Sequence, residues 1–316
     1  MLSDSFKQDI TAAFNRYKSN CDGAKASYIP ELLKANDSDF AIVVTTVEGE
    51  VFELGQSDQS FSLQSLSKPF VYGLALAQNG KEKVLSKVGV EPTGEAFNSI
   101  IELEKNTHRP YNPMINSGAI AISSMILGSH FNERLESIVK LFESYVGHSL
   151  KIDDAVFQSE KSTAHRNRAI AHLLAHFNII ENKNDSSIEE ALNLYFKQCS
   201  ILVNTIDLSM MAATLASGGV QPKSKKRILS AEDSTDILSL MFTCGMYDTA
   251  GLWAYSVGLP AKSGVSGGII AVVPGVMGIA AYSPLIDNHG HSIRSVKAIT
   301  ELVTKQNLSI FSGAKK

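Results

Sequence analysis

Between Ser263 and Ile286 the chain carries no charged residue. A stretch of that length could cross a bilayer as a helix. Pro274, Pro284 and the glycines at 264, 267, 268, 275 and 278 interrupt it too often for a helix exposed to lipid. Two buried β-strands, Gly268–Val273 and Val276–Tyr282, around a Pro-Gly turn fit the pattern instead.

The rest of the chain predicts what lies around that hairpin. Ile10, Ala13, Phe14 and Tyr17 space as one face of an N-terminal helix, and Phe40–Thr46 with Val51–Leu54 read as a second hairpin. Segments 116–131, 133–146, 167–180, 187–200, 205–217 and 230–243 have helical apolar spacing, and a last helix falls near Ser292–Gln306. Six helices in a row do not build a parallel sheet. Strands near both ends with helices between them predict an α+β chain: an antiparallel sheet lobe, about 1–64 and 245–316, flanked by helices from both termini, with an all-helical lobe, about 65–244, inserted. Its 316 residues would admit about two domains at ~150 residues each, but the motifs below must meet in one cleft, so 1–316 is read as one domain of two lobes. Asn182–Ser187 is the expected flexible loop.

Charge excludes several function classes. Lys and Arg number 29 against 32 Asp and Glu, a net of -3, so no overall field recruits polyanions and no nucleic-acid partner is expected. The basic run Lys223–Arg227 has no interleaved aromatics and reads as a solvated loop. Cys21, Cys199 and Cys244 are odd in number and far apart, which argues against a disulfide framework and a zinc ribbon. The opening residues show no export signal, and with the broken apolar run this gives a cytoplasmic expectation without membrane attachment.

Chemistry concentrates at Ser65-Leu66-Ser67-Lys68. On a helix, residues three apart share a face, so Ser-x-x-Lys can set an amine beside a nucleophilic hydroxyl. The spacing also occurs at Ser137–Lys140 and Ser312–Lys315, but only Ser65 stands where a loop becomes a helix, with Pro69 in the first turn and Asn79-Gly80 at the end. A serine there lies at the positive end of the helix dipole, and burial near Leu66 and Phe70 would favour neutral Lys68. Lys262-Ser263-Gly264, expected to open the first strand of the C-terminal hairpin, supplies the second half of a pairing found in penicillin-recognising enzymes. Together the motifs point to serine acyl transfer. His172 and His176, and Asp287-x-His289-x-His291, lack a further ligand pattern and are read as structural or surface groups. There is no Walker loop and no Gly-x-Gly-x-x-Gly, so neither metal nor cofactor is expected.

The stretches FSLQSLSKPF (61–70), VGVEPTGEAFNSI (88–100), RPYNPMINSGAI (109–120), RNRAIA (166–171), YFKQCSI (195–201) and CGMYDTAGLWAYSVGLPAKSGVSGGIIAVVPG (244–275) resemble the serine-dependent glutaminases. The resemblance runs from about Tyr28 to about Arg294. It implies a β-lactamase-like fold, and hydrolysis of L-glutamine to L-glutamate and ammonia. It implies Ser65 as nucleophile, Lys68 as its partner, and substrate contacts at Tyr28, Asn116, Glu160, Asn167, Tyr195, Tyr247 and Val265. Glu160 would meet the substrate ammonium, and the backbone N–H groups of Ser65 and Val265 would hold the oxyanion. Asn116, Asn167, Tyr28 and Tyr195 could donate to the substrate carboxylate. Tyr247 would relay a proton to ammonia, and either it or Lys68 could be the base. A homodimer or homotetramer is the expected assembly. The interval from Asn167 to Tyr195 is longer than usual for the family, and Ser117 and Ser266 stand where alanine and glycine are commoner. The alternatives are a penicillin-recognising acylase on the same scaffold and a catalytically silent amino-acid-binding protein.

Overall fold

The uncharged run forms the centre of an antiparallel sheet. The computed structural model describes residues 1–94, 99, 103, 108–181 and 186–313. Within it β1 (Ala41–Thr46), β2 (Val51–Gly55), β5 (Ala261–Ser263), β6 (Gly268–Val273) and β7 (Met277–Tyr282) pair in the order β2-β1-β7-β6-β5. A second, two-stranded sheet joins β3 (Phe61–Ser62) to β4 (Leu202–Val203). Every residue of β6 and β7 is buried. Both faces of the sheet are therefore covered, which is why the run tolerates no charge.

Period-two alternation divides these strands between two cores. Ile269, Ala271, Ile279 and Ala281 face one core with Phe6 and Ile10 of α1 (Asp4–Tyr17), Trp253 of α11 (Ala250–Ser256) and Ile299 and Leu302 of α12 (Ile293–Gln306). Ile270, Val272, Ala280 and Tyr282 face the other, where α9 (Thr205–Ala216) brings Leu208, Met211, Ala212 and Leu215. Helix α9 packs against β1, β6 and β7. The approach is so close that a Cβ at Gly278 would collide with the backbone of Ala212 and Ala213. The same core continues through α2 (Lys68–Asn79), α4 (Asn116–Ser124), α5 (Phe131–Val146), α7 (His165–His176), α8 (Ser187–Cys199) and α10 (Ala231–Cys244).

The α+β class and the antiparallel sheet are as the sequence implies; several boundaries differ. The expected helix 116–131 stops at Ser124, and the chain turns through Gly128 before α5. Two short helices, α3 (Lys81–Lys87) and α6 (Asp154–Thr163), carry too few buried residues to show a periodic face, with Val84 alone in α3 and Val156, Phe157 and Glu160 in α6. Lys262-Ser263-Gly264 does not open the GIIAVV strand. Lys262 and Ser263 belong to β5, a separate edge strand, and Gly264 begins the turn 264–267 through which the chain returns to pair β6 with it. Residues 182–185 of the expected loop, Lys315 of the third Ser-x-x-Lys and part of the 88–100 motif lie outside the described residues. Among the described residues, no helix is long and apolar enough to cross a membrane.

Candidate active site

Ser65 lies in a one-turn 3-10 helix, Gln64–Ser67, between β3 and α2. Leu63 and Leu66 are fully buried and anchor this turn, and the Leu63 N–H donates to the Ile201 carbonyl at 2.8 Å. Gln64 is held at φ 51°, a left-handed conformation that costs about 1 kcal/mol or more for a residue with a side chain. Ser67 Oγ donates to the Gln64 carbonyl at 2.8 Å, and Gln64 Nε2 to Ser62 Oγ at 3.3 Å. This strain sits one residue before Ser65.

Lys68 opens α2 and is buried. Its Nζ donates to the Met114 carbonyl at 3.2 Å and to Asn116 Oδ1 at 2.8 Å. Burial lowers its pKa to about 8, against the opposing charge of Glu160. Asn116 heads α4 and links two further elements: its Nδ2 donates to Asn167 Oδ1 at 3.0 Å, and its Oδ1 accepts from Tyr195 Oη at 3.3 Å. Four side chains from α2, α4, α7 and α8 thus form one polar chain that runs from the buried Lys68 to the half-buried Asn167.

Glu160 enters from α6 and is buried with one oxygen, Oε2, lacking any hydrogen-bond partner. Burial pushes its pKa up to about 8, while the Lys68 charge and a hydrogen bond from Gln64 pull it down. A buried, half-satisfied carboxyl is expensive unless a cationic ligand completes it. Tyr28 stands at the rim with 51% of its surface exposed, yet its phenol lies in dense surroundings near Glu160 and Tyr247 and its pKa is raised well above the ordinary value. Burial has the same effect on Tyr195.

The sheet side supplies the opposite wall. Tyr247 opens a 3-10 turn, Tyr247–Thr249, at φ 52°. Its hydroxyl is hydrogen-bonded to Ser65, donates to the Ser263 carbonyl at 3.2 Å, and is pushed up to about 12 by burial. Val265 is buried in the turn after β5. The sequence reading left two neighbours out of the site. Lys262, wholly buried, places Nζ 3.9 Å from the centre of the Tyr247 ring and donates to the Ser263 carbonyl at 2.7 Å. Burial, and then the Lys68 charge, hold its pKa well below the ordinary lysine range. His291, read from sequence as structural or surface, is buried against Ser263 and Tyr247. Lys262 had a signal in its Lys-Ser-Gly motif; His291 had none beyond a two-residue spacing from His289 and Asp287. His172 and His176 are both exposed on α7.

A serine hydrogen-bonded to a tyrosine, a buried lysine with a lowered pKa and a buried carboxyl with an unpartnered oxygen lie close enough to interact, and the Glutaminase family model matches residues 23–311. The chain belongs to the glutaminase family. A glutaminase of Trichormus variabilis is 52% identical over 306 residues, covering 97% of this chain and 90% of that protein. The solved structure of a probable glutaminase, YbaS, superposes with a TM-score of 0.95 at 40% identity, covering 99% of this chain and 100% of the other. A probable glutaminase from Bacillus subtilis, complexed with 6-diazo-5-oxo-L-norleucine, superposes with a TM-score of 0.88 at 35% identity and covers 98% of each chain. As in these glutaminases, the fold is β-lactamase-like.

Proposed function

We propose that the protein hydrolyses L-glutamine to L-glutamate and ammonia through a glutamyl ester on Ser65. Ser65 Oγ attacks the side-chain carboxamide carbon and loses its proton. The N–H groups of Ser65 and Val265 hold the resulting oxyanion, and the C–N bond breaks as ammonia leaves with a proton. Water then attacks the ester, releasing glutamate and restoring the serine hydroxyl.

The acid-base roles follow from magnitudes. Near pH 7.5, a lysine of pKa about 8 is unprotonated in roughly a quarter of molecules, whereas a phenol of pKa about 12 is ionised in fewer than about one in ten thousand. We therefore assign Lys68 as base. Neutral Lys68 has two N–H bonds, which Met114 and Asn116 accept, leaving its lone pair for a proton. Tyr247, neutral and in contact with Ser65, suits the transfer to departing ammonia.

The observation that carries the reading is the unpartnered Glu160 Oε2, buried within interaction range of Lys68 and of Gln64, the residue before Ser65. It matches an amino acid's ammonium. Asn116 Nδ2, Asn167 and Tyr28 are assigned to the substrate carboxylate, and Tyr195 joins them by turning its hydroxyl from Asn116 Oδ1 toward the bound substrate. The ligand named in the Bacillus subtilis structure is an amino acid with a carbonyl at carbon 5, the position of the glutamine carboxamide carbon, which supports a glutamine-shaped substrate. We further place the enzyme in the cytoplasm as a homodimer or homotetramer; the free thiols of Cys21, Cys199 and Cys244 suit a reducing compartment. The test is ammonia release by the parent and by Ser65→Ala, on L-glutamine and L-asparagine. The parent should act on L-glutamine in preference, and the variant should keep its fold with no more than trace release. Substantial turnover by the folded variant would remove Ser65 from the mechanism.

A further inference from the structure

Tyr247 occupies a left-handed backbone conformation that its side chain disfavours, so neighbouring contacts must hold it there. His291 makes three of them. Its ring stacks on the Tyr247 ring, with centroids 5.5 Å apart and planes 13° from parallel. Its Nε2 lies 2.8 Å from Thr249 Oγ1, at the end of the Tyr247 turn, and its Nδ1 lies 2.8 Å from Ser263 Oγ on β5.

These bonds fix the tautomer. Thr249 spends its single hydroxyl hydrogen on the Met246 carbonyl at 2.8 Å, so its oxygen must accept from His291 Nε2–H. Nδ1 is then the lone-pair side and accepts from the Ser263 hydroxyl. The loop carrying His291 is itself tied down: Asp287 Oδ1 accepts from the His289 and His291 backbone N–H groups at 2.9 Å each. Lys262 on β5, Asp248 in the Tyr247 turn, and Asp287 and His289 on the same loop are the charged and titratable groups around the ring; burial dominates and holds it neutral, with its pKa down at about 4.

We propose that His291 is a positioning residue for Tyr247: the imidazole clamps the Tyr247 turn to β5 and so holds the phenol against Ser65. The proposal rests on the proton-relay role given to Tyr247 above. Ser263 is the shared anchor, since its hydroxyl meets His291 while its carbonyl receives the Tyr247 hydroxyl. Losing the clamp would leave Glu160, Asn116 and Asn167 in place, so binding should survive better than turnover.

The test uses full-length variants and ammonia release from L-glutamine. His291→Phe keeps an aromatic plane over Tyr247 and removes both hydrogen bonds; His291→Asn keeps an acceptor near Nδ1, within reach of Ser263. H291F should lower kcat by roughly 10- to 100-fold, the scale of an ångström-level misplacement, with KM changed by no more than about threefold. H291N should recover part of the lost kcat at a similar Tm, which a pure packing role would not produce. In a Tyr247→Phe background, H291F should cost little more, because both changes act on one group. Parental kcat in H291F, a loss confined to KM, or fully additive losses in the double variant would each overturn the clamp. Parental activity in Y247F would instead remove the relay role on which the clamp rests, and the clamp with it.

Discussion

The proposed mechanism needs Lys68 neutral and Glu160 ionised, and both pKa values lie at about 8 in the free protein. Lowering the pH adds a proton to each, so kcat/KM, which reports the free enzyme, should fall on two accounts. At pH 6 each group is in its working form in roughly 1% of molecules, so kcat/KM should be about 10⁴-fold below its plateau, a limb of slope two. Because the two charges attract, the singly protonated state is favoured and the protons leave in two separate macroscopic steps, so the limb passes through slope one before it steepens to slope two. Saturating substrate changes the count. A bound ammonium keeps Glu160 ionised, so kcat should fall only about 100-fold at pH 6, a limb of slope one set by Lys68.

Glu160→Gln isolates the second proton. The amide cannot titrate, so the kcat/KM limb should relax to slope one, while the plateau drops by about 100-fold because a neutral partner replaces a charge-assisted one. The assay is initial-rate ammonia release between pH 5.5 and 9 at constant ionic strength, with circular dichroism at each pH to confirm folding. Equal slopes for kcat and kcat/KM in the parent, or an E160Q limb as steep as the parent's, would refute the pairing of Glu160 with the substrate ammonium.

Further outcomes follow from the same geometry. Tyr247→Phe should keep KM near the parent's and reduce kcat by about 10²- to 10⁴-fold, the span of a general acid-base group, as read by steady-state ammonia release. Glu160→Gln should also raise Tm, by more at pH 9 than at pH 5. The folded-state pKa of Glu160, about 8, exceeds the ordinary carboxyl value of 4.5, so its stability relative to an ordinary carboxyl is lost as pH rises through the folded value; the substitution removes up to roughly 5 kcal/mol of that cost. Gly278→Val should force α9 off the sheet and destabilise by several kcal/mol, on the scale of overpacking plus backbone displacement, measured by denaturant unfolding. An unchanged midpoint in that variant would contradict the close approach of α9.

The central strands were legible because burial on both faces writes itself as an absence of charge, and the long helices because their apolar faces repeat over several turns. Short elements write no such pattern, and α6, which carries Glu160, was missed for that reason. Lys262 and His291 escaped for a different cause. The Lys-Ser-Gly motif marked the segment of Lys262 but not its side chain, a buried neutral histidine looks in sequence like any solvated one, and the strand pairing that returns β5 beside Tyr247 is what brings both against that tyrosine. The family resemblance placed Ser65, Lys68, Asn116, Asn167 and Tyr195 in one site, but it did not predict that Lys68 would spend its hydrogen bonds on Asn116 and Met114 while the Ser65 hydroxyl meets Tyr247.

The two walls of the cleft explain why that division matters. Ser65, Lys68, Asn116, Glu160, Asn167 and Tyr195 are carried by the helices and turns of one core, whereas Tyr247, Lys262, Val265 and His291 ride on or beside the edge of the sheet. The hydrogen bond between Ser65 and Tyr247 spans that seam, and each partner stands at or next to a residue held near φ 50°. Strain of that kind persists only where the surroundings over-determine it. The deep burial of β6 and β7 between two cores supplies that rigidity, so the uncharged run, which holds no proposed nucleophile or base, fixes one wall of the site against the other.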